Sequence, residues 1–414
     1  READGRRMSP RFPAAVDVAI VGGGMVGASL AVALSGTSLR VVLIEAVPVD
    51  GASQPSFDDR TTALGNGSRR IFEALGVWRH LAAHAGPVRE IRVSEAGRFG
   101  AAALCASDQG LEALGYVVSN RHIGAALWQE LAQRPEILVR NPARVLKVRL
   151  EHDGAQLMVG SVTETEEFTA RVVVAADGAH SLMRGAAGIA ALVEDYRQVA
   201  VVVHIATDRP ASGVAYERFT PTGPLAVLPL VDGRYTVVWT LSPERAAQVL
   251  ALDTAAFMAE LQRSFGWRIG RIYQAGARGS YPLSLTRAES LAGPRTVLVG
   301  NAAQALHPVA GQGFNLGLRD AALLAELFAR ASDPGAPSLL EDFERRRAAD
   351  RRGMIGFTDG LVKLFASERP GIPLLRNIGL TLFDLAPGAK DALARLSWGF
   401  GGDTPRLMRG LPVA

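Results

Sequence analysis

The chain has 414 residues, 48% of them hydrophobic and 21% charged, a balance that fits a folded globular body and excludes wholesale disorder. Its formal charge is +4, but the basic residues are scattered without interleaved aromatics, which argues against nucleic acid as a partner. A single cysteine, Cys105, excludes an internal disulfide and a cysteine-held cluster and suits a reducing cytoplasmic setting. No uncharged apolar run reaches the roughly 18–20 residues of a membrane helix. Arg1 to Arg7, ahead of Met8, read as a leader outside the fold.

In chain order, Val16–Val21 is a short branched run typical of a buried parallel strand. Gly22, Gly23 and Gly24 follow, then a helix from Met25 to Leu34 and a second buried strand from Leu39 to Ile44, ending at Glu45. That is one β-α-β unit. A polar, glycine-bearing loop from Val49 to Asp59 leads to Arg60 and a helix over Gly67–Leu75. The pattern next predicts a helix over Arg121–Leu131 and strands over Val145–Leu150 and Arg171–Ala176, the last stopped by Asp177 and Gly178. Between Gln198 and Leu241 the texture changes to short β-rich runs joined by Pro and Gly turns, an antiparallel sheet separate from the parallel one. Thr296–Val299 returns to the buried-strand pattern, followed by a glycine-rich turn, a long helix over Phe314–Arg330 and a largely helical C-terminal region.

The segment Gly22-Gly23-Gly24-Met25-Val26-Gly27 fits G-x-G-x-x-G in its required context, after a strand and opening a helix. Gly22 permits the tight turn, Gly24 lets main chain approach a diphosphate, and Gly27 lets helix and strand pack closely. The helix start favours the anion. Glu45, at the end of the next strand, can accept from ribose hydroxyls and disfavours a 2′-phosphate. Two further strand ends, at Asp177-Gly178 and at Gly300-Asn301, lie where α/β sheets bind ligands. The second continues through His307-Pro308 to Gly311, Gly313, Phe314 and Asn315, where glycines let main chain lie against a flat ring and a helix start faces it. His307 also reads as a residue that merely shapes the turn. No His, Cys and carboxylate spacing suggests a metal site.

Together these three segments resemble the FAD-dependent aromatic hydroxylases that have a single dinucleotide-binding domain. The stretches DDRTTALGNGSRRIFEALGVW, YERFTPTGPLAVLPLVDGRYTVVW, FGWRIGRI and VLVGNAAQALHPVAGQGFNLGLRD are similar to the branch acting on polyprenyl methoxyphenols in ubiquinone biosynthesis. The likeness runs from about Asp17 to about Phe400. It implies an α/β fold: a Rossmann-like FAD domain (15–80, 105–190 and 280–335) interleaved with an antiparallel substrate domain (81–104 and 191–279), then helices over 336–400.

The resemblance further implies that Gly22, Gly24, Met25, Val26, Gly27 and Glu45 hold the ADP half of FAD. Arg60 and Arg121 would lie along the diphosphate and ribityl chain, although both also read as ordinary surface cations. Val145 would touch adenine, Asp177 would close over the diphosphate, and Gly300 and Asn301 would meet the ribityl chain. Pro308, Gly311, Gly313, Phe314 and Asn315 would border the isoalloxazine. Most members carry Asp where this chain has Asn301, which keeps an acceptor but lacks the charge. Leu228 and Pro229 are the expected substrate-pocket residues, with no catalytic side chain singled out. NAD(P)H and dioxygen are the implied co-substrates and a polyprenyl phenol the implied substrate. Another ring position, a different phenol, or a low-turnover flavin-stabilised scaffold in a biosynthetic assembly remain as alternatives. The apolar segments Leu361–Phe365 and Ile372–Leu385, near Arg345, Arg346, Arg347, Arg351 and Arg352, suggest peripheral docking on an anionic inner-membrane surface. An ordinary helix packed on the FAD domain is the competing reading.

Overall fold

The computed structural model describes residues 13–49, 57–161, 164–366, 371–386, 388, 390–392, 399 and 403–414. The leader Arg1–Arg7, residues 50–56 of the glycine-bearing loop, and residues 367–370, 387, 389, 393–398 and 400 of the expected helical region lie outside the described residues. Strands Thr296–Leu298, Thr165–Ala175, Ala15–Val21, Val41–Ile44 and Ile137–Arg140 lie side by side in that order, each parallel to the next. Their branched side chains are buried on both faces, as a parallel sheet covered by helices requires: Val18, Ile20, Val42, Leu43, Val172 and Val174 are all fully enclosed. The expected strand at Arg171–Ala176 is the second half of Thr165–Ala175, whose first half pairs with an antiparallel meander, Arg144–Leu150 and Ala155–Gly160.

A second, 8-stranded sheet contains the β-rich region expected around 198–241, but it is larger than the sequence pattern indicated. Two 17-residue strands, Ala191–Thr207 and Ile272–Ala288, run antiparallel, and the second crosses the expected boundary at 280. Val214–Thr220, Gly223–Pro229 and Tyr235–Leu241 complete its middle, and Glu90–Glu95 and Ala101–Cys105 form the edge beyond Val214–Thr220. Alternation gives this sheet two distinct faces. Val201, Val203, Leu225, Val227 and Val237 pack on Phe257, Leu261 and Phe265 of the helix Thr254–Phe265. Ala200, Val202, Ala226, Leu228 and Val238 face the other way, into a cavity.

The helix Gln312–Ala329 packs against the helix Met25–Leu34, and Gly317 lets the two come close: a Cβ there would lie 3.0 Å from Val26 Cγ2, and 2.9 Å from the Cα of Gly300 in the neighbouring turn. The 30-residue helix Pro337–Ala366 is bolted to Gln312–Ala329 by buried ion pairs. Arg319 Nε donates to Asp350 Oδ2 at 2.8 Å, and Arg347 Nε to Asp320 Oδ1 at 2.6 Å. This corrects the expected basic cluster. Arg347 and Arg351 are four residues apart and share the inward face, where Arg347 is fully buried and Arg351 donates to Gln304 and to the Ala288 and Ala303 carbonyls. Arg346 pairs with Asp403, so only Arg345 (paired with Asp342) and Arg352 remain on the outside. Charges buried this way must be matched by carboxylates, and they are then unavailable to lipid.

Candidate cofactor and substrate site

The first glycine turn joins the tips of the two central strands. Gly22 has φ +104°, and a Cβ there would lie 2.6 Å from the carbonyl carbon of Ala176 and 2.9 Å from the nitrogen of Asp177. A Cβ on Gly27 would run into the carbonyl of Gly22. The helix Met25–Leu34 starts at Gly24 with no side-chain cap and no acidic residue in its first turn, so its leading amides are left for an anion. Glu45 is 7% exposed and fixed by main chain: Gly23 N donates to Oε2 at 2.6 Å and Val47 N to Oε1 at 2.7 Å. Each oxygen keeps capacity for a further donor. Trp128 was not foreseen; its indole donates to the Gly23 carbonyl at 3.2 Å and steadies the turn.

The other two strand ends are tied together by a residue that the sequence reading missed. Arg184 donates to the Ala302 carbonyl and to the Ala179 carbonyl, both at 2.9 Å, linking the loop after Thr165–Ala175 to the turn after Thr296–Leu298. Asp177 turns its carboxylate onto its own loop, accepting from Ser181 Oγ and Met183 N. Gly300 has φ +58° and sits on Val26, while Asn301 is exposed and lines the cavity.

Beyond Asn301 the chain turns at His307. Val309 N donates to its Nδ1 at 3.1 Å, so the proton is on Nε2, which faces Gln198 Oε1 at 3.3 Å. Burial pushes this imidazole down to about 4, which keeps it neutral. The helix Gln312–Ala329 starts at Gly311, φ +60°, again without a side-chain cap or an acidic first turn. A Cβ on Gly313 would meet nothing within 4 Å, so open space lies over this helix start. Phe314 packs near Phe72, with ring centroids 6.0 Å apart. Asn315 is fully buried and saturated within the protein: Oδ1 accepts from Gly65 N and Ser68 Oγ, and Nδ2 donates to the Ala63 and Gly311 carbonyls. It holds the turn in place and does not line the cavity.

These turns surround one cavity of about 1250 Å³, larger than the roughly 300–1,000 Å³ of ordinary small-molecule sites, although Glu45, Asp177, Arg184 and Asn315 do not themselves line it. It runs from Gly24, Met25 and Val26 past Gly300, Asn301, Pro308, Gly311, Gly313 and Phe314 to the second sheet and the C-terminal helices. Arg60 lines it, paired with Asp58 at 2.6 Å and lying over the Tyr281 ring at 4.6 Å. Arg121 stays on the surface beside Asp59, and Val145 is packed in the core of the meander; neither borders the cavity. Leu228 does, whereas Pro229 falls on the opposite face of its strand, because neighbours along a strand alternate. Glu217, a carboxylate on the apolar side, went unrecognised in the sequence.

Two open helix starts with glycine main chain between them, set against an apolar sheet, fit an extended dinucleotide whose flat end reaches a second compartment. The class is a flavoprotein. Residues 15–358 match the FAD binding domain family, and the chain belongs to that family. It is 36% identical over 407 residues to the ubiquinone hydroxylase UbiL of Rhodospirillum rubrum, covering 96% of this chain and 93% of the relative. It is 33% identical to the 3-demethoxyubiquinol 3-hydroxylase of Escherichia coli, covering 88% and 93%. Among solved structures, the p-nitrophenol 4-monooxygenase PnpA from Pseudomonas putida superposes with a TM-score of 0.78 at 18% identity, covering 94% of this chain and 99% of that one. A Diels-Alderase of pyrroindomycin biosynthesis also superposes, with a TM-score of 0.72 at 23% identity, covering 97% and 82%, so the fold alone does not name the reaction.

The buried His307 yields a prediction with a definite sign. Its folded pKa is about 4, below the usual 6.5, so the unfolded chain binds the extra proton first. Stability tied to this residue is complete above pH 6.5 and is lost as pH falls towards 4, by roughly 3 kcal/mol at most. Thermal unfolding of a His307→Gln variant across pH 4–7 should show a shallower acid-side loss than the parent. Equal slopes would contradict the assignment.

Proposed function

We propose that the protein is an FAD-dependent monooxygenase that hydroxylates the aromatic ring of a polyprenyl methoxyphenol in ubiquinone biosynthesis, using NAD(P)H and dioxygen. The observation that carries this reading is the continuity of the cavity, from the first glycine turn to an apolar sheet face, in a chain with ubiquinone hydroxylases among its relatives. When bound, FAD would supply the redox chemistry of a hydroxylation that consumes NAD(P)H and dioxygen. The amides of Gly24, Met25 and Val26 receive the diphosphate, and Glu45 receives the adenosine ribose. Arg60 and Asn301 lie along the ribityl chain, and Pro308, Gly311, Gly313 and Phe314 border the flavin ring. Ala200, Val202, Ala226, Leu228 and Val238 shape the substrate side and keep it dry, which limits unproductive loss of activated oxygen to water.

A polyprenyl tail needs an apolar way out. Leu364 and Leu375 both line the cavity and are 44% and 64% exposed, so the cavity opens between the helices Pro337–Ala366 and Ile372–Asp384. Leu374, Ile378, Leu382 and Leu385 continue outward as an exposed apolar stripe at helical spacing. With Arg346, Arg347 and Arg351 of the neighbouring helix engaged internally, contact with lipid rests on this stripe more than on charge. Among the described residues no helix is long and apolar enough to cross a membrane, which fits peripheral contact.

Purified holoenzyme should oxidise NAD(P)H faster when a polyprenyl methoxyphenol is added and release a ring-hydroxylated product under dioxygen. Bound flavin without substrate-stimulated oxidation would instead favour the scaffold reading. In liposome flotation the protein should rise with the vesicles, and a Leu374→Glu/Leu382→Glu variant should stay in the dense fraction. A parent protein that does not float would remove the membrane contact.

A further inference from the structure

The second sheet presents a largely apolar wall to the cavity, relieved by Tyr216, Tyr281 and Ser284 and by a single charged side chain. Glu217 projects from Val214–Thr220 between Val93 and Ala226, its register partners on the neighbouring strands. Val238 and Val202 continue the same rung, so the carboxylate sits in a row of hydrocarbon. It is the one carboxylate that lines the cavity among the described residues. Its Oε1 is buried with no hydrogen-bond partner. A buried acceptor left unsatisfied is costly and is tolerated where a ligand completes it.

The charged groups on surrounding elements are engaged elsewhere or face away, and the phenols of Tyr216 and Tyr281 also line the cavity. On the neighbouring strand Glu95 is paired with Arg376 of the C-terminal helix, and Arg92 with Glu90. On the long helix Asp359 accepts from Tyr196 and Lys363, and Lys363 also pairs with Glu194. His307 is neutral and hydrogen-bonded, Arg60 pairs with Asp58, and Arg218 belongs to the opposite face of the strand. Loss of water is the sole cause that raises the Glu217 pKa, to about 7.

We propose that Glu217 is the base that receives the phenolic proton of the substrate ring, an assignment that rests on the hydroxylase reading above. The phenol O–H bond breaks with its electron pair kept by oxygen, and the proton bonds to a carboxylate oxygen of Glu217. The phenolate oxygen then feeds electron density into the ring carbon that takes its oxygen atom from dioxygen at the NAD(P)H-reduced cofactor. That carbon's own hydrogen leaves as a proton to solvent as aromaticity is restored, and Glu217 returns its proton to the phenolate oxygen of the product. A carboxylate pushed up to about 7 is a stronger acceptor than an ordinary one and still ionised in much of the population at neutral pH. Activity should therefore rise as pH rises through about 7, as the base form accumulates.

The test compares holoenzyme with Glu217→Gln and Glu217→Asp variants, after confirming equal flavin content. Removing a general base should lower kcat/KM by about 10²-fold or more. Glu217→Gln should also lose the acid limb of the pH profile, while Glu217→Asp keeps a limb. A second readout needs no turnover: infrared difference spectra of the parent should contain a protonated-carboxyl band that titrates near 7, responds to added 2-methoxyphenol and disappears in Glu217→Gln. If Glu217→Gln loses flavin, the parent spectrum and Glu217→Asp decide. Retention of the acid limb with kcat/KM within threefold of the parent, or a parent carboxyl band indifferent to 2-methoxyphenol, would overturn the assignment. Absence of hydroxylated product from the parent would sink the hydroxylase reading itself, whereas the infrared response tests the contact between Glu217 and the phenol independently of turnover.

Discussion

The approach of Gly22 to the main chain of Ala176 and Asp177 is the constraint on which the site depends. Two parallel strands register side by side, Val21 opposite Ala175, and their tips come too close for any side chain at the turn. Because the tip of Ala15–Val21 is bare backbone, the following helix can begin at Gly24 with its amides uncovered, beside the loops that follow Thr165–Ala175 and Thr296–Leu298. Arg184 then fixes those two loops to each other. A side chain at Gly22 would both clash and demand a left-handed backbone that only glycine adopts without strain.

From that point the cavity divides into two chemically different halves. The half beside the parallel sheet works through main-chain dipoles: two helices start there uncapped, and an anionic dinucleotide supplies what a side-chain cap would. The half beside the antiparallel sheet works through exclusion, with small and branched side chains that leave volume and offer water no hydrogen bond. Charges at its rim are neutralised in pairs, Arg60 with Asp58 and Arg376 with Glu95, and His307 stays uncharged. This balance of charge leaves Glu217 conspicuous.

Much of the first half was legible in the sequence because it depends on local rules. A branched run, a glycine turn and a helix within Val16–Leu34 leave few alternatives, and the strand ends at Asp177 and Gly300 announce themselves in the same way. The second half depends on register and distant pairing. Leu228 and Pro229 are neighbours in sequence, and only the pairing of their strand decides which one meets the cavity. The arginines of Glu341–Arg352 read as a surface cluster because their partners Asp320 and Asp403 come from other parts of the chain. Asn315 looked like a ligand contact, yet its amide closes the turn from behind through partners as far away as Ala63 and Ser68. Glu217 was hidden for a different reason: in an alternating strand a carboxylate normally marks the solvent side, and here that side is the interior of a binding cavity.

The most direct measurement is the flavin content of the purified chain beside a Gly22→Val variant of the same preparation. The parent should carry close to one FAD per chain by absorbance, and the variant should be folded by circular dichroism yet nearly colourless. A parent that is folded, colourless and unable to take up added FAD would contradict the account at its root, as would a variant that keeps its full complement of flavin.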